Sequence, residues 1–253
     1  MIITNEMLKE RPLSYSSIKE FSRSPKNYIQ YLHAKREPSK EMVFGSMIHC
    51  LLLYPELFQD MFAVSPDVDR RTKDGKAEWE RFVSEAGERE VVQGHELDEA
   101  SEIVGAVLSN DNIKNAIKNC DHFEKPWQED MFNLPFRGFL DACSSDYVIE
   151  VKTTSDASPQ NFTRDFFNRK YHIQSALYHQ ASGLPIKYIV IETKAPYNFY
   201  MADVSKGVIN YGWDELIRLT DLFHQCMTLN AWDKGYEFMQ DGPMVIDLPP
   251  WIK

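Results

Sequence analysis

The stretch Gly138-Phe-Leu-Asp-Ala-Cys-Ser-Ser-Asp-Tyr-Val-Ile-Glu-Val-Lys-Thr-Thr154 constrains this chain more than any other. It reads as two short apolar strands joined by a polar turn, Cys143 to Asp146. Side chains alternate along a strand, so Glu150 and Lys152 point one way while Ile149 and Val151 point into a core. A hairpin brings Asp141, near the end of the first strand, close to Glu150. Two carboxylates and an ammonium then share one spot, which is costly unless a divalent cation or another partner compensates the paired negative charge.

At 253 residues, 43% of them apolar and 26% charged, the chain suffices for one large domain with a substantial core, and residues 1–253 are read as such. No apolar run approaches the roughly 20 residues that span a bilayer. The start, Met-Ile-Ile-Thr-Asn-Glu, lacks the pattern of a signal peptide, so a cytoplasmic protein without membrane attachment is expected. Cys50, Cys120, Cys143 and Cys226 are scattered, with no Cys-x-x-Cys pair, and are expected as reduced core thiols. A formal charge of −10 disfavours general nucleic-acid affinity, but a local basic path would suffice, and metal-binding acids themselves add negative charge.

Such a path has candidates. Between Lys9 and Lys40, eight basic residues, Lys26 among them, stand against three acids. The serines of Pro12-Leu-Ser-Tyr-Ser-Ser17 and Ser24-Pro25 carry the start signals of two helices in that segment. Gly45-Ser46 is read as the start of a very apolar helix carrying His49, which by itself is more often a hydrogen-bonded core residue than a ligand. Asp69-Arg-Arg-Thr-Lys-Asp-Gly-Lys76 reads as a basic loop, and residues 65–120 as a helical insertion within the domain. Trp127–Asn133 is expected as a strand that turns at Leu134-Pro135 into the one carrying Asp141, with Glu129 a further acid beside the cluster or a plain surface residue. Residues 155–170, with Arg164, read as irregular. A helix over Tyr171–Ser182 then puts Gln174 and Tyr178 on one face. Strands follow at 187–193 and 197–204, a helix over Trp213–Leu229, and an extended tail at 244–253.

The order of these parts (histidine helix, meander with Asp141, Glu150 and Lys152, helix with Gln174 and Tyr178, further strand) resembles the PD-(D/E)xK nuclease superfamily. More closely it resembles the RecE-type exonucleases. The resemblance covers nearly the whole chain: Ser16-Ser-Ile-Lys19 and Ser24-Pro25-x-x-Tyr28, Gly45-Ser-x-x-His49-x-Leu-Leu-Leu-x-Pro-Glu56, Arg70-Arg71-Thr72-Lys73-x-Gly75-Lys76, Asp141, Glu150-Val-Lys152-Thr-Thr154 and Gln174-x-x-x-Tyr178. Leu140 replaces the proline of the superfamily's name, and Glu150 stands where close relatives often carry Asp. Both changes keep the ligand chemistry.

The resemblance implies a PD-(D/E)xK, restriction-endonuclease-like α/β (α+β) core, a central mixed β-sheet flanked by helices. It implies Mg²⁺ or Mn²⁺ held by Asp141, Glu150, the Val151 carbonyl and His49, with Glu129 as an outer acid. It makes Lys152 the group that positions and helps deprotonate the attacking water or stabilises charge on the phosphate, and Gln174 and Tyr178 groups that orient the phosphate or the catalytic residues. Arg70, Arg71, Lys73, Lys76, Lys26 and Arg164 are candidate DNA contacts. The implied activity is 5′→3′ digestion of one strand of linear duplex DNA by a ring-shaped homo-oligomer, leaving a 3′ single strand for an annealing protein. Another nuclease of the superfamily, or a non-catalytic DNA-binding protein on the same fold, are the alternatives.

Overall fold

A computed structural model describes residues 3–240 apart from Arg36, together with Gly242. In chain order the elements are α1 (Asn5–Glu10), α2 (Tyr15–Phe21), α3 (Pro25–His33), α4 (Lys40–Leu53), α5 (Phe58–Met61), β1 (Phe62–Val64), α6 (Lys73–Ala86), β2 (Glu90–Val92), α7 (Gly94–Leu108), α8 (Asp111–Lys118) and β3 (His122–Met131). Then come β4 (Leu134–Cys143), β5 (Val148–Thr154), α9 (Pro159–Asn168), α10 (Tyr171–Ser182), β6 (Ile186–Glu192), β7 (Phe199–Asp203) and α11 (Lys206–Leu229). The expected tail at 244–253 lies outside the described residues.

The main sheet has the order β3-β4-β5-β6-β7. Strands β3, β4 and β5 form an antiparallel meander, β5 and β6 are parallel, and β6 and β7 are antiparallel, so the sheet is mixed. A parallel pair needs a crossover connection, which α9 and α10 supply. The presence of α9 in 155–170 corrects the reading of that segment as irregular: Pro159 opens it, and Phe162 and Phe166, four apart, bury one face of it.

Both faces of the sheet are covered, which explains the near-continuous apolar run Tyr188–Ile191 in β6. On one side Leu140, Val148, Tyr188 and Val190 pack with Ile18, Phe21 and Tyr28 of the N-terminal helices and with α10 and α11. On the other, Ala142, Ile149, Val151, Ile189 and Ile191 pack with Met47 and Ile48 of α4, Ile103 and Val107 of α7, and Ile113 of α8. Within 65–120, therefore, α7 and α8 supply part of the second core. The Asp69–Lys76 stretch is only partly a loop, because Thr72 caps α6 and puts Lys73 and Lys76 on that helix. The four cysteines are buried and free. No helix among the described residues is long and apolar enough to cross a membrane.

Two local departures from the sequence reading set the site. Helix α4 starts at Lys40, with the Ser39 side chain accepting from the Met42 N–H, and not at Gly45. Gly45 is an approach point: a Cβ there would lie 2.7 Å from Thr153 Oγ1 on β5. His49, four residues on, shares that sheet-facing side of the helix. The turn between β3 and β4 is Phe132-Asn133, both in the left-handed region at φ 54° and 58°, and not Leu134-Pro135. This two-residue turn holds Met131 opposite Leu134 and fixes the register of the whole hairpin. Phe132 tolerates its unusual backbone because it packs on Trp213 and its carbonyl accepts from His224 Nε2 at 2.7 Å.

Candidate active site

Strands β4 and β5 pair only at Ala142–Ile149 and Cys143–Val148, then part. Asp141 sits at the point of parting. Its Oδ2 accepts the Val151 backbone N–H at 2.8 Å, replacing the ladder bond lost there. The same oxygen lies 3.0 Å from His49 Nε2. His49 Nδ1 is 2.9 Å from Tyr54 Oη, and Tyr54 donates at 3.2 Å to Glu124 Oε1. His49, Glu124 and Asp141 each offer a ligand atom, all within 4.8 Å of one another, a grouping able to hold a metal ion.

The second half of the site hangs on Glu150, whose side chain is 3% exposed. Its Oε1 accepts from Lys152 Nζ at 2.5 Å and from Gln174 Nε2 at 2.6 Å. Gln174 Nε2 also donates to Tyr178 Oη at 3.0 Å, so the helix face expected to carry Gln174 and Tyr178 does meet the hairpin. The other carboxylate oxygen, Glu150 Oε2, is buried with no protein partner. A buried acceptor without a donor is unfavourable by about 1–3 kcal/mol. The His49–Glu124–Asp141 group, of which the expected ligand Glu150 is not a member, is the place that a cation fits, and its two carboxylates and one imidazole suit a divalent ion.

Electrostatics agrees. Burial, with the neighbouring Asp141 charge, pushes the Glu150 carboxyl up to about 7 even though Lys152 pulls it back. Burial also works against the Asp141 charge, but the hydrogen bond and charge of His49, then Lys152, hold that group below its usual range. Burial disfavours the Lys152 ammonium, and the Glu150, Tyr171 and Asp141 neighbours more than restore it. Burial and neighbouring charge thus drive two adjacent carboxylates in opposite directions, a pattern that functional sites often show.

Glu124 is the acid that sequence reasoning missed. In the register set by Phe123–Ala142 and Lys125–Leu140 it stands across from Asp141, with its backbone in the left-handed region at φ 48°. Glu129 pairs with Phe136, five residues further along β3, and is not part of the His49–Glu124–Asp141 group. A turn placed two residues too late slides the hairpin register and brings residues near Glu129 opposite Asp141; the real turn brings Glu124. We expect Glu124→Gln to weaken divalent-metal affinity roughly 10- to 100-fold in a calorimetric titration, and Glu129→Gln to leave it unchanged.

The site opens into a cleft of about 930 Å³, whose lining includes His49, Glu124, the Val151 and Lys152 positions, Thr153, Thr154 and Tyr171. Its cations are Lys40, Lys152, Arg169 and Lys194. None of the six expected DNA contacts is among its lining residues. Arg70 lies over the Trp79 ring, 4.4 Å from its centroid, in a smaller pocket that shares Lys40 and Phe44 with the cleft. Arg71 pairs with Asp69, and Lys73 and Lys76 are exposed on α6. Arg164 is exposed beside Asp165, and Lys26 is exposed on α3, whose buried side faces the other core from His49.

A family model described as a PDDEXK-like domain of unknown function (DUF3799) matches residues 14–237. Among solved structures, a provisionally named exonuclease from Eubacterium rectale superposes with a TM-score of 0.57 at 13% identity, over 87% of this chain and 86% of that one, a likeness of fold. A second structure, SSO0001, gives a TM-score of 0.27 at 16% identity over 48% of this chain and 67% of that one, too low to carry weight. No curated protein matches in sequence.

Proposed function

The chain belongs to the PDDEXK-like DUF3799 family, and from that premise we propose that it is a divalent-metal-dependent nuclease that hydrolyses DNA phosphodiester bonds. One observation carries the reading. At the parting of β4 and β5, Asp141 joins His49 and Glu124 on one side, while Glu150 joins Lys152 and Gln174 on the other.

A divalent cation bound by His49, Glu124 and Asp141, with Glu150 and the Val151 carbonyl as the further ligands the resemblance implies, would supply an activated water and polarise the phosphate. The chain's own residues do the rest. The Val151 N–H fixes the Asp141 carboxylate, so its orientation is set before substrate arrives. Gln174 and Lys152 both occupy Glu150 Oε1, leaving Oε2 the free oxygen. Lys152, kept cationic and lining the cleft, can orient the attacking water and offset charge developing on the phosphate.

The finer reading follows the RecE-type resemblance: an exonuclease on linear duplex DNA, working 5′→3′ as a ring-shaped homo-oligomer and leaving a 3′ strand for an annealing protein. The test is a gel assay on 5′-labelled, 3′-labelled and closed-circular duplexes with Mg²⁺, Mn²⁺ or EDTA. We expect early loss of the 5′ label, slow loss of the 3′ label, intact circles, and no reaction in EDTA. Cutting of circles would make the protein an endonuclease; absence of cleavage under every metal condition would remove the nuclease reading.

A further inference from the structure

We infer that Tyr171 is a positioning residue for the Lys152 ammonium in the proposed nuclease reaction, holding it by the face of its ring. Lys152 Nζ lies 4.7 Å from the Tyr171 ring centroid while its hydrogen bond goes to Glu150 Oε1. An ammonium has three N–H donors, and burial makes the attraction of a cation to an aromatic face count. Both residues line the cleft.

The placement follows from helix geometry. Tyr171 is the first residue of α10, set by Lys170 in the left-handed conformation at φ 63°. Gln174 comes three residues later and Tyr178 four after that, so all three fall on one helix face. Tyr171 touches the ammonium of the Lys152–Glu150 pair and Gln174 touches its carboxylate. The Gln174-x-x-x-Tyr178 pattern thus extends one step toward the N-terminus, to Tyr171-x-x-Gln174-x-x-x-Tyr178.

The ring is itself held. Tyr15, Phe166 and Tyr188 stand 6.2, 5.9 and 6.2 Å from it, centroid to centroid, and Tyr15 Oη donates to the Arg169 carbonyl just before α10. The long lysine side chain thereby meets a fixed wall, which limits where its ammonium can sit relative to a phosphate in the cleft.

This role rests on the nuclease reading, and the test separates the two. Wild type, Tyr171→Phe, Tyr171→Leu, and proteins carrying mono-, di- or trifluorophenylalanine at position 171 are assayed on linear duplex at saturating Mg²⁺, with circular dichroism confirming the fold. We expect Tyr171→Phe to keep kcat within about threefold and Tyr171→Leu to lower it roughly 10- to 30-fold at unchanged KM. Each added fluorine, which drains the ring face of electron density at nearly constant shape, should lower kcat further. An active wild type with a flat fluorine series, or with Tyr171→Leu as active as Tyr171→Phe, overturns the positioning role alone. A wild type inert on linear and circular duplex overturns the nuclease reading and this role with it.

Discussion

Asp141→Asn is expected to abolish divalent-metal binding and to lower DNA hydrolysis by at least about 10²–10³-fold while leaving the protein folded. The choice of asparagine matters. Asp141 Oδ2 accepts the Val151 N–H, and alanine would leave that donor unsatisfied where the strands part, at a cost of about 1–3 kcal/mol in stability. The amide oxygen of asparagine keeps that bond and removes only the charge. His49 responds as well: burial draws its pKa down, but the hydrogen bond and charge of Asp141 outweigh this and hold it above the usual value. Without the carboxylate charge the imidazole should titrate lower, visible as an acidic shift of its ring resonances by NMR. Calorimetry with Mn²⁺ on metal-free wild type and Asp141→Asn reads the binding half directly. Equal heats from the two proteins would remove Asp141 from the metal site.

Lys152→Ala should be costly twice. Loss of the cleft ammonium should reduce turnover by roughly 10²-fold or more. Loss of the partner also leaves Glu150 buried without a cation, and breaking a buried pair from one side destabilises by about 3–5 kcal/mol. The pH dependence has a definite sign. Burial raises Glu150 in the folded state, to about 7 with Lys152 present, and removing Lys152 raises it further. A carboxyl whose folded pKa exceeds its unfolded value of about 4.3 is bound to its proton more tightly in the folded state. Stability is then retained below the unfolded pKa and falls as pH climbs toward the folded one. Metal-free Lys152→Ala should therefore lose more of its urea midpoint, relative to wild type, at pH 8 than at pH 5. The double variant Lys152→Met, Glu150→Gln removes both charges and should recover most of the loss. An equal deficit at both pH values would show that Glu150 is not the source.

The sequence exposed the centre of the site better than its rim. The Asp141–Glu150–Lys152 hairpin and the Gln174–Tyr178 helix were legible because strand and helix periods decide which side chains share a face. The mixed sheet with helices on both sides came from the resemblance to the superfamily, since strand periods alone do not say which strands pair or in which direction. Glu124 was hidden because a two-residue turn with both residues left-handed is normally signalled by Asn-Gly or Asp-Gly, and here Phe132 occupies the first position. That one misplaced turn exchanged Glu124 for Glu129. Gly45 is not the helix start it reads as; its reason is the close approach to Thr153, a tertiary fact that no local pattern carries. Tyr171 carried no motif of its own. Its relation to Lys152 depends on where α10 begins, and that is set by the left-handed turn at Lys170.

The central claim is that the group of carboxylates, histidine and lysine at the parting of β4 and β5 cleaves DNA with a bound divalent cation. Nucleotide release from a linear duplex by pure wild type and pure, folded Lys152→Ala, each with Mg²⁺ and with EDTA, tests it most directly. Wild type with Mg²⁺ should release nucleotides, and the other three reactions essentially none. Wild-type-like release by Lys152→Ala, or release that persists in EDTA, would contradict it.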